Sequence, residues 1–242
     1  DDVQMVAFLC AVSLSKADPK QFSDIFQFTI LNRAQLILSK DPIATVTGLC
    51  SLCHSVPDLM KNEFNKIKSI SNSLIRNKAY DAIFKLLETF LYAFPEQLND
   101  FYHQNFDFLL SAPISDAFKS FFAKIATLPN TFDEQDKIKL TKLLESKLDD
   151  NTLMTLSLIA ELPPSIFVEP QTLFQLITKQ TNSDNFRIRK YTPPALFNLS
   201  KAIPNMDQLA LVRKLLAKAI LEKSVIVRRS YLKVINKNCI KE

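Results

Sequence analysis

Cys50-Ser51-Leu52-Cys53-His54 carries the most explicit chemical spelling in this chain. Two cysteines three residues apart, followed by histidine, match covalent haem attachment, and the pair alone would suit thiol exchange or half of a zinc site. The context argues for packing instead. The pentapeptide is flanked by Leu49 and Val56, at positions that other segments of the chain fill with apolar residues. A redox pair would place its first thiol at a helix N-terminus. A structural zinc site needs further ligands, and His103 is the one other histidine. The expectation is that Cys50, Cys53 and His54 bind neither metal nor cofactor, against the alternatives of haem, redox or zinc use.

Asp133, Glu134 and Asp136 are the other grouping with chemical potential, as paired carboxylates. They follow Thr131 where a helix should begin, and acidic residues there complement the helix dipole. With two histidines in the chain, His54 and His103, a nucleophile–base arrangement has few bases to draw on. Gly48 is the lone glycine among 242 residues, which removes the phosphate loop, the dinucleotide fingerprint and the nucleophile elbow together. Gly48 itself reads as a point of close helix–helix contact, with a functional backbone approach as the alternative. The sequence therefore predicts no catalytic residue and no small-molecule substrate.

Charge is distributed unevenly. From Asp184 onward there are thirteen basic residues against four acidic ones, a net +9, whereas residues 1–183 carry −4. Arg187, Arg189 and Lys190 cluster in one predicted helix, and Arg228, Arg229, Lys233 and Lys237 in the next. Such a strip would attract RNA phosphates, acidic protein segments or anionic headgroups. The alternative is that Arg189 and Arg228 make structural contacts between helices while the lysines are solvated. No interleaved aromatics suggest base stacking, so contact with nucleic acid would be to phosphates.

The elements that position these residues are helices in series. An apolar residue followed by proline closes a helical run five times, at Val56-Pro57, Phe94-Pro95, Leu128-Pro129, Leu162-Pro163 and Ile203-Pro204. The intervals of 38, 34, 34 and 41 residues have the period of helical-pair repeats. Gly48-Leu49-Cys50-Ser51-Leu52 aligns with Ala195-Leu196-Phe197-Asn198-Leu199 ahead of two of those closures. Asp18-Pro19 and Asp41-Pro42 spell helix starts, with a capping carboxylate before proline in the first turn. Ile83, Leu87, Phe90 and Phe94 form one helical stripe, and Leu209, Val212, Leu216 and Ile220 another. Neither helix of a pair buries its stripe alone, so pairs must stack. The predicted fold is all-α, a solenoid of about six antiparallel pairs over 20–57, 58–95, 96–129, 130–163, 164–204 and 205–242. A single helix, 1–19, precedes them, and the whole is expected to be one segment of a longer protein.

Asp184 with Ile188-Arg189, and Val227-Arg228-Arg229, resemble HEAT repeats, which place Asp in the turn and a Val-Arg pair early in the second helix. Arg189 and Arg228 are 39 residues apart, one repeat. The resemblance implies that second helices line a concave surface, which would gather the basic strip there. The stretch from Phe26 to Pro42, the helix Thr47–Cys53 and Val227-Arg228-Arg229-Ser230-Tyr231-Leu232 look like the N-terminal HEAT region of the ribosome-associated translational activators of the starvation-responsive initiation-factor kinase. That resemblance implies a cytoplasmic scaffold touching ribosomes, with nuclear placement left open. Two function classes follow: a scaffold binding other proteins, and a nucleic-acid or ribonucleoprotein contact module using the basic end. The opening apolar run, Val3 to Leu14, is too short to span a bilayer. The four cysteines show no disulfide spacing and read as reduced thiols.

Overall fold

Three of the five apolar–proline steps, at Val56, Phe94 and Leu162, cap the end of a helix, and two of them start the next without a linker, while Leu128-Pro129 and Ile203-Pro204 lie three residues past the ends of theirs. In the computed structural model, which describes residues 2–26, 30–129 and 131–239 (side chains at 2, 23–26, 97 and 237–239 excepted), the described residues form fifteen α-helices and no strand. Val56 and Phe94 are each the C-cap of one helix and the N-cap of another, with Pro57 and Pro95 at the first helical position. Proline tolerates that position because its missing N–H would have had no partner there. The fold is an all-α, solenoid-like series of antiparallel helix pairs. It divides into two compact units, residues 1–121 and 122–242.

The first unit holds α1 (Asp2–Ala17), α2 (Pro19–Phe26), α3 (Ile30–Ile37), α4 (Pro42–Ser55), α5 (Pro57–Asn62), α6 (Phe64–Arg76), α7 (Tyr80–Ala93) and α8 (Pro95–Leu110), together with the start of α9 (Asp116–Ile125). First helices pack on first helices (α3 on α6), and second helices on second (α4 on α7), with α1 against α4. Asp41 caps α4 by accepting a hydrogen bond from the Ala44 amide at 2.9 Å, and Asp18 accepts one from Gln21 at 3.0 Å. The predicted stripe on α7 is core: Ile83, Leu87, Phe90 and Phe94 are all buried. Around it lies an aromatic cluster. The Phe84 ring sits 5.3 Å from Phe118 and 5.6 Å from Phe121, while Phe64, Phe90 and Phe94 form a second group at 5.6–5.7 Å.

Gly48 is where α1 crosses α4. A Cβ built there would lie 2.3 Å from Cε1 and 2.6 Å from Cζ of Phe8, a fully buried ring. Close helix contact is thus the reason for this glycine. Gly48→Ala should lower stability by about 1–2 kcal/mol through overpacking, even though Ala improves helix propensity by about 1 kcal/mol. Urea denaturation checks this. Combining it with Phe8→Leu, which shortens the obstructing side chain, should recover part of the loss. Additive losses would place the strain elsewhere.

The second unit runs through α10 (Glu134–Asp150), α11 (Thr152–Glu161), a single 3-10 turn at Pro164–Ile166, α12 (Pro170–Gln180), α13 (Phe186–Ser200), α14 (Gln208–Leu221) and α15 (Val225–Cys239). Here α10 packs on α12, and the second helices α11, α13 and α15 pack in series. Helix α13 passes through Pro193-Pro194 without ending. Pro194 has no N–H to give the Lys190 carbonyl, and the Ser230 hydroxyl of α15 donates to it instead, at 2.6 Å. A missing bond within one helix becomes a bond between neighbours. Asn198 serves similarly, its amide donating to the Ile159 and Leu162 carbonyls left free at the end of α11, at 2.8 and 2.6 Å.

The predicted stripe on α14 requires correction. Leu209, Leu216 and Ile220 are 57%, 42% and 73% exposed, and the buried side is Leu211, Leu215 and Ala219. The helix is apolar nearly all round, so spacing alone did not select the packed face.

Candidate functional site

The CxxCH segment lies inside α4, remote in character from a reactive thiol site. Cys50 and Cys53 are 8% and 2% exposed. Burial raises both thiols, that of Cys53 to about 12, so neither is a ready thiolate. Cys50 Sγ points to the Lys85 carbonyl at 3.8 Å, and His54 Nδ1 is 2.6 Å from the Cys50 carbonyl on its own helix. Among the described residues, no group of three or more His, Cys, Asp or Glu side chains is arranged to hold a metal ion.

The acidic trio starts α10. Asp133 is its N-cap, accepting from the Asp136 amide at 2.8 Å; Glu134 pairs with Lys137 one turn on; Asp136 is buried.

The basic end resolves into two groups with different occupations. Arg189, at the fourth position of α13, meets the Glu222 carboxylate with two nitrogens, at 2.9 and 3.1 Å. Its remaining nitrogen donates to the Ser183 and Asp184 carbonyls. Arg228, at the fourth position of α15, donates to the Glu222 carbonyl at 3.2 and 2.8 Å. Both arginines thus reach back six residues to a carbonyl of the turn before their helix, and Glu222 ties one pair to the next. The Asp–Arg contact expected from the turn at Asp184 is made through that residue's backbone, and the carboxylate partner is Glu222. Sequence reasoning missed Glu222, whose signal was its place at the end of α14, in the turn matching Ser183.

Arg187, Arg229 and Lys233 are exposed, and among the described residues none of them has an ion-pair partner. Lys190 is half-buried with its nitrogen 5.0 Å over the Tyr191 ring. Arg229 and Lys233 share one side of α15 with the exposed Ile226, at helical spacing. Lys237 falls in α15, but its side chain lies outside the described residues. The seven predicted basic residues therefore split: Arg189 and Arg228 are structural, and Arg187, Lys190, Arg229 and Lys233 remain as surface cations.

What the sequence did not point to is a set of exposed apolar side chains on the last two helices. Leu209, Leu216, Ile220 and Leu221 of α14, with Val225 and Ile226 at the start of α15, are all exposed. No described helix is long and apolar enough to cross a membrane. No protein-family model, curated protein or solved structure matches the chain.

Proposed function

We propose that this chain is a non-catalytic, HEAT-like scaffold that binds other proteins within a large intracellular assembly. The observation that carries this reading is the exposure of large apolar side chains on α14 and α15: Leu209, Leu216 and Ile220, which recur at helical spacing on one side of α14, with Val225 and Ile226 at the start of α15. Exposed apolar side chains grouped on one side of a helix are what protein interfaces use. A ribosome-associated, cytoplasmic regulator of translation is the specific form suggested by the resemblance of Val227–Leu232 and the Phe26–Cys53 region to such activators. The second reading, contact with RNA or ribonucleoprotein, draws support from the net +9 segment and from Arg187, Lys190, Arg229 and Lys233.

One experiment separates them. Complexes captured by the chain from cytosol would be compared with and without nuclease across a salt series, using Leu216→Glu with Ile220→Glu, and separately Arg187, Lys190, Arg229 and Lys233 all changed to Glu. The scaffold reading expects protein partners that survive nuclease, change little with salt, and are lost with the leucine–isoleucine variant. Loss confined to the charge-reversed variant, with binding that falls steeply as salt rises, would instead establish phosphate contact.

A further inference from the structure

A groove opens in the second unit between α12 and α14. These are the first helices of successive pairs, and elsewhere in the unit the equivalent helices α10 and α12 pack directly. The groove encloses about 570 Å³, with Leu196 of α13, Leu211 and Leu215 at its base and Phe174, Met206 and Leu221 on its walls. That is within the usual size of ligand-binding clefts, about 300–1,000 Å³.

Its polar groups are largely spoken for. Thr178 donates to the Phe174 carbonyl and Thr181 to the Thr178 carbonyl, both at 2.8 Å, which leaves their methyls to line the wall. Asp207 accepts from the Ala210 amide as the cap of α14. The charges left on the groove are Lys214 and Lys218, four residues apart on one wall. Lys218 reaches Asn182 across the far end at 2.5 Å, and Lys214 has no partner among the described residues.

We infer that this groove receives the apolar face of an acidic amphipathic helix from a protein partner. Three features select that occupant. The lining runs from Met206, just before α14, to Leu221 at its end, a length of about 20 Å, which is that of a helix of about four turns. The apolar floor fits a row of side chains at i, i+3, i+4 and i+7. Two lysines one turn apart match carboxylates one turn apart on a facing helix, whereas a fatty acid would present a single carboxylate at one end. The inference rests on the scaffold reading and names one partner chemistry for it.

The test is selection of helical peptides from a displayed library against the full 242-residue chain. The selected peptides are expected to share an apolar stripe flanked by Asp or Glu. Their affinity should fall at least about tenfold with Ala217→Glu, which places bulk and negative charge at an exposed groove position. Lys214→Glu with Lys218→Glu should shift the selected flanks from acidic to basic, while Lys142→Glu, at an exposed position of α10 outside the groove, should change nothing. Peptides with basic flanks, or peptides insensitive to Ala217→Glu, would overturn the proposal. So would a fluorescent fatty acid that binds in the groove and is not displaced by any selected peptide. The scaffold reading fails separately, since it depends on the Leu216 and Ile220 side of α14 and on partners captured there.

Discussion

Phe84→Ala should cost about 3–5 kcal/mol. The ring is fully buried on α7 and holds Phe118 and Phe121 of α9 at 5.3 and 5.6 Å. Truncation removes both the transfer energy of the ring and the contacts of its aromatic neighbours, which are themselves fully buried. Equilibrium denaturation would show it as a lower midpoint for the first unit. Tyr92→Ala, on the same helix but 71% exposed, should stay within about 0.5 kcal/mol of the parent chain. Equal effects from the two substitutions would mean that α7 does not present Phe84 to the core.

The helical layout was legible because it is written in local chemistry. Asp18, Asp41 and Asn185 cap helices through backbone amides two or three residues on, so each carries its own instruction. Proline after an apolar residue is equally local, since it cannot donate to the preceding turn. The α7 stripe was legible because its opposite side is polar enough to exclude it from the core. On α14 that contrast is absent: Leu209, Leu216 and Ile220, at intervals of seven and four, make a helical stripe as readily as Leu211, Leu215 and Ala219, at intervals of four. Which set is buried depends on where α13 and α15 sit, and spacing within one helix does not contain that information. Pro193-Pro194 shows the opposite case. The local rule predicts a break, yet the helix continues because Ser230, 36 residues beyond Pro194, supplies the donor that the proline lacks.

The basic end was half legible. Composition located the charge, and the 39-residue interval singled out Arg189 and Arg228, each of which donates to a carbonyl six residues back. It did not reveal that a carboxylate 33 residues downstream occupies Arg189, because the signal of Glu222 is its place in the turn six residues before Arg228 and not a local motif. The groove was invisible for a similar reason. It is a gap between helices, and its lining residues look like core in sequence.

The Arg189–Glu222 pair should make the second unit sensitive to acid. Its side chains are 19% and 9% exposed, and Glu222 also accepts from the Ser224 amide at 2.9 Å. The Arg189 hydrogen bonds hold the Glu222 carboxyl below its ordinary value of 4.5, and the Ser224 amide adds to this against the opposing effect of burial. A group whose pKa is lower in the folded state binds its proton more readily when unfolded. Its stabilisation is therefore complete above the ordinary carboxylate range, and it is lost as pH falls through the lowered folded value. Glu222→Ala should cost about 2–3 kcal/mol near neutral pH, because it leaves a partly buried guanidinium with carbonyl acceptors alone. Glu222→Gln should flatten the acid limb of the stability–pH curve, and Arg189→Lys should restore little, since an ammonium does not meet both carboxylate oxygens in the same plane. Denaturation midpoints for the three variants from neutral to acid pH provide the measurement. A parent curve no steeper in acid than that of Glu222→Gln would mean that the pair contributes nothing to holding α13 against the turn before α15.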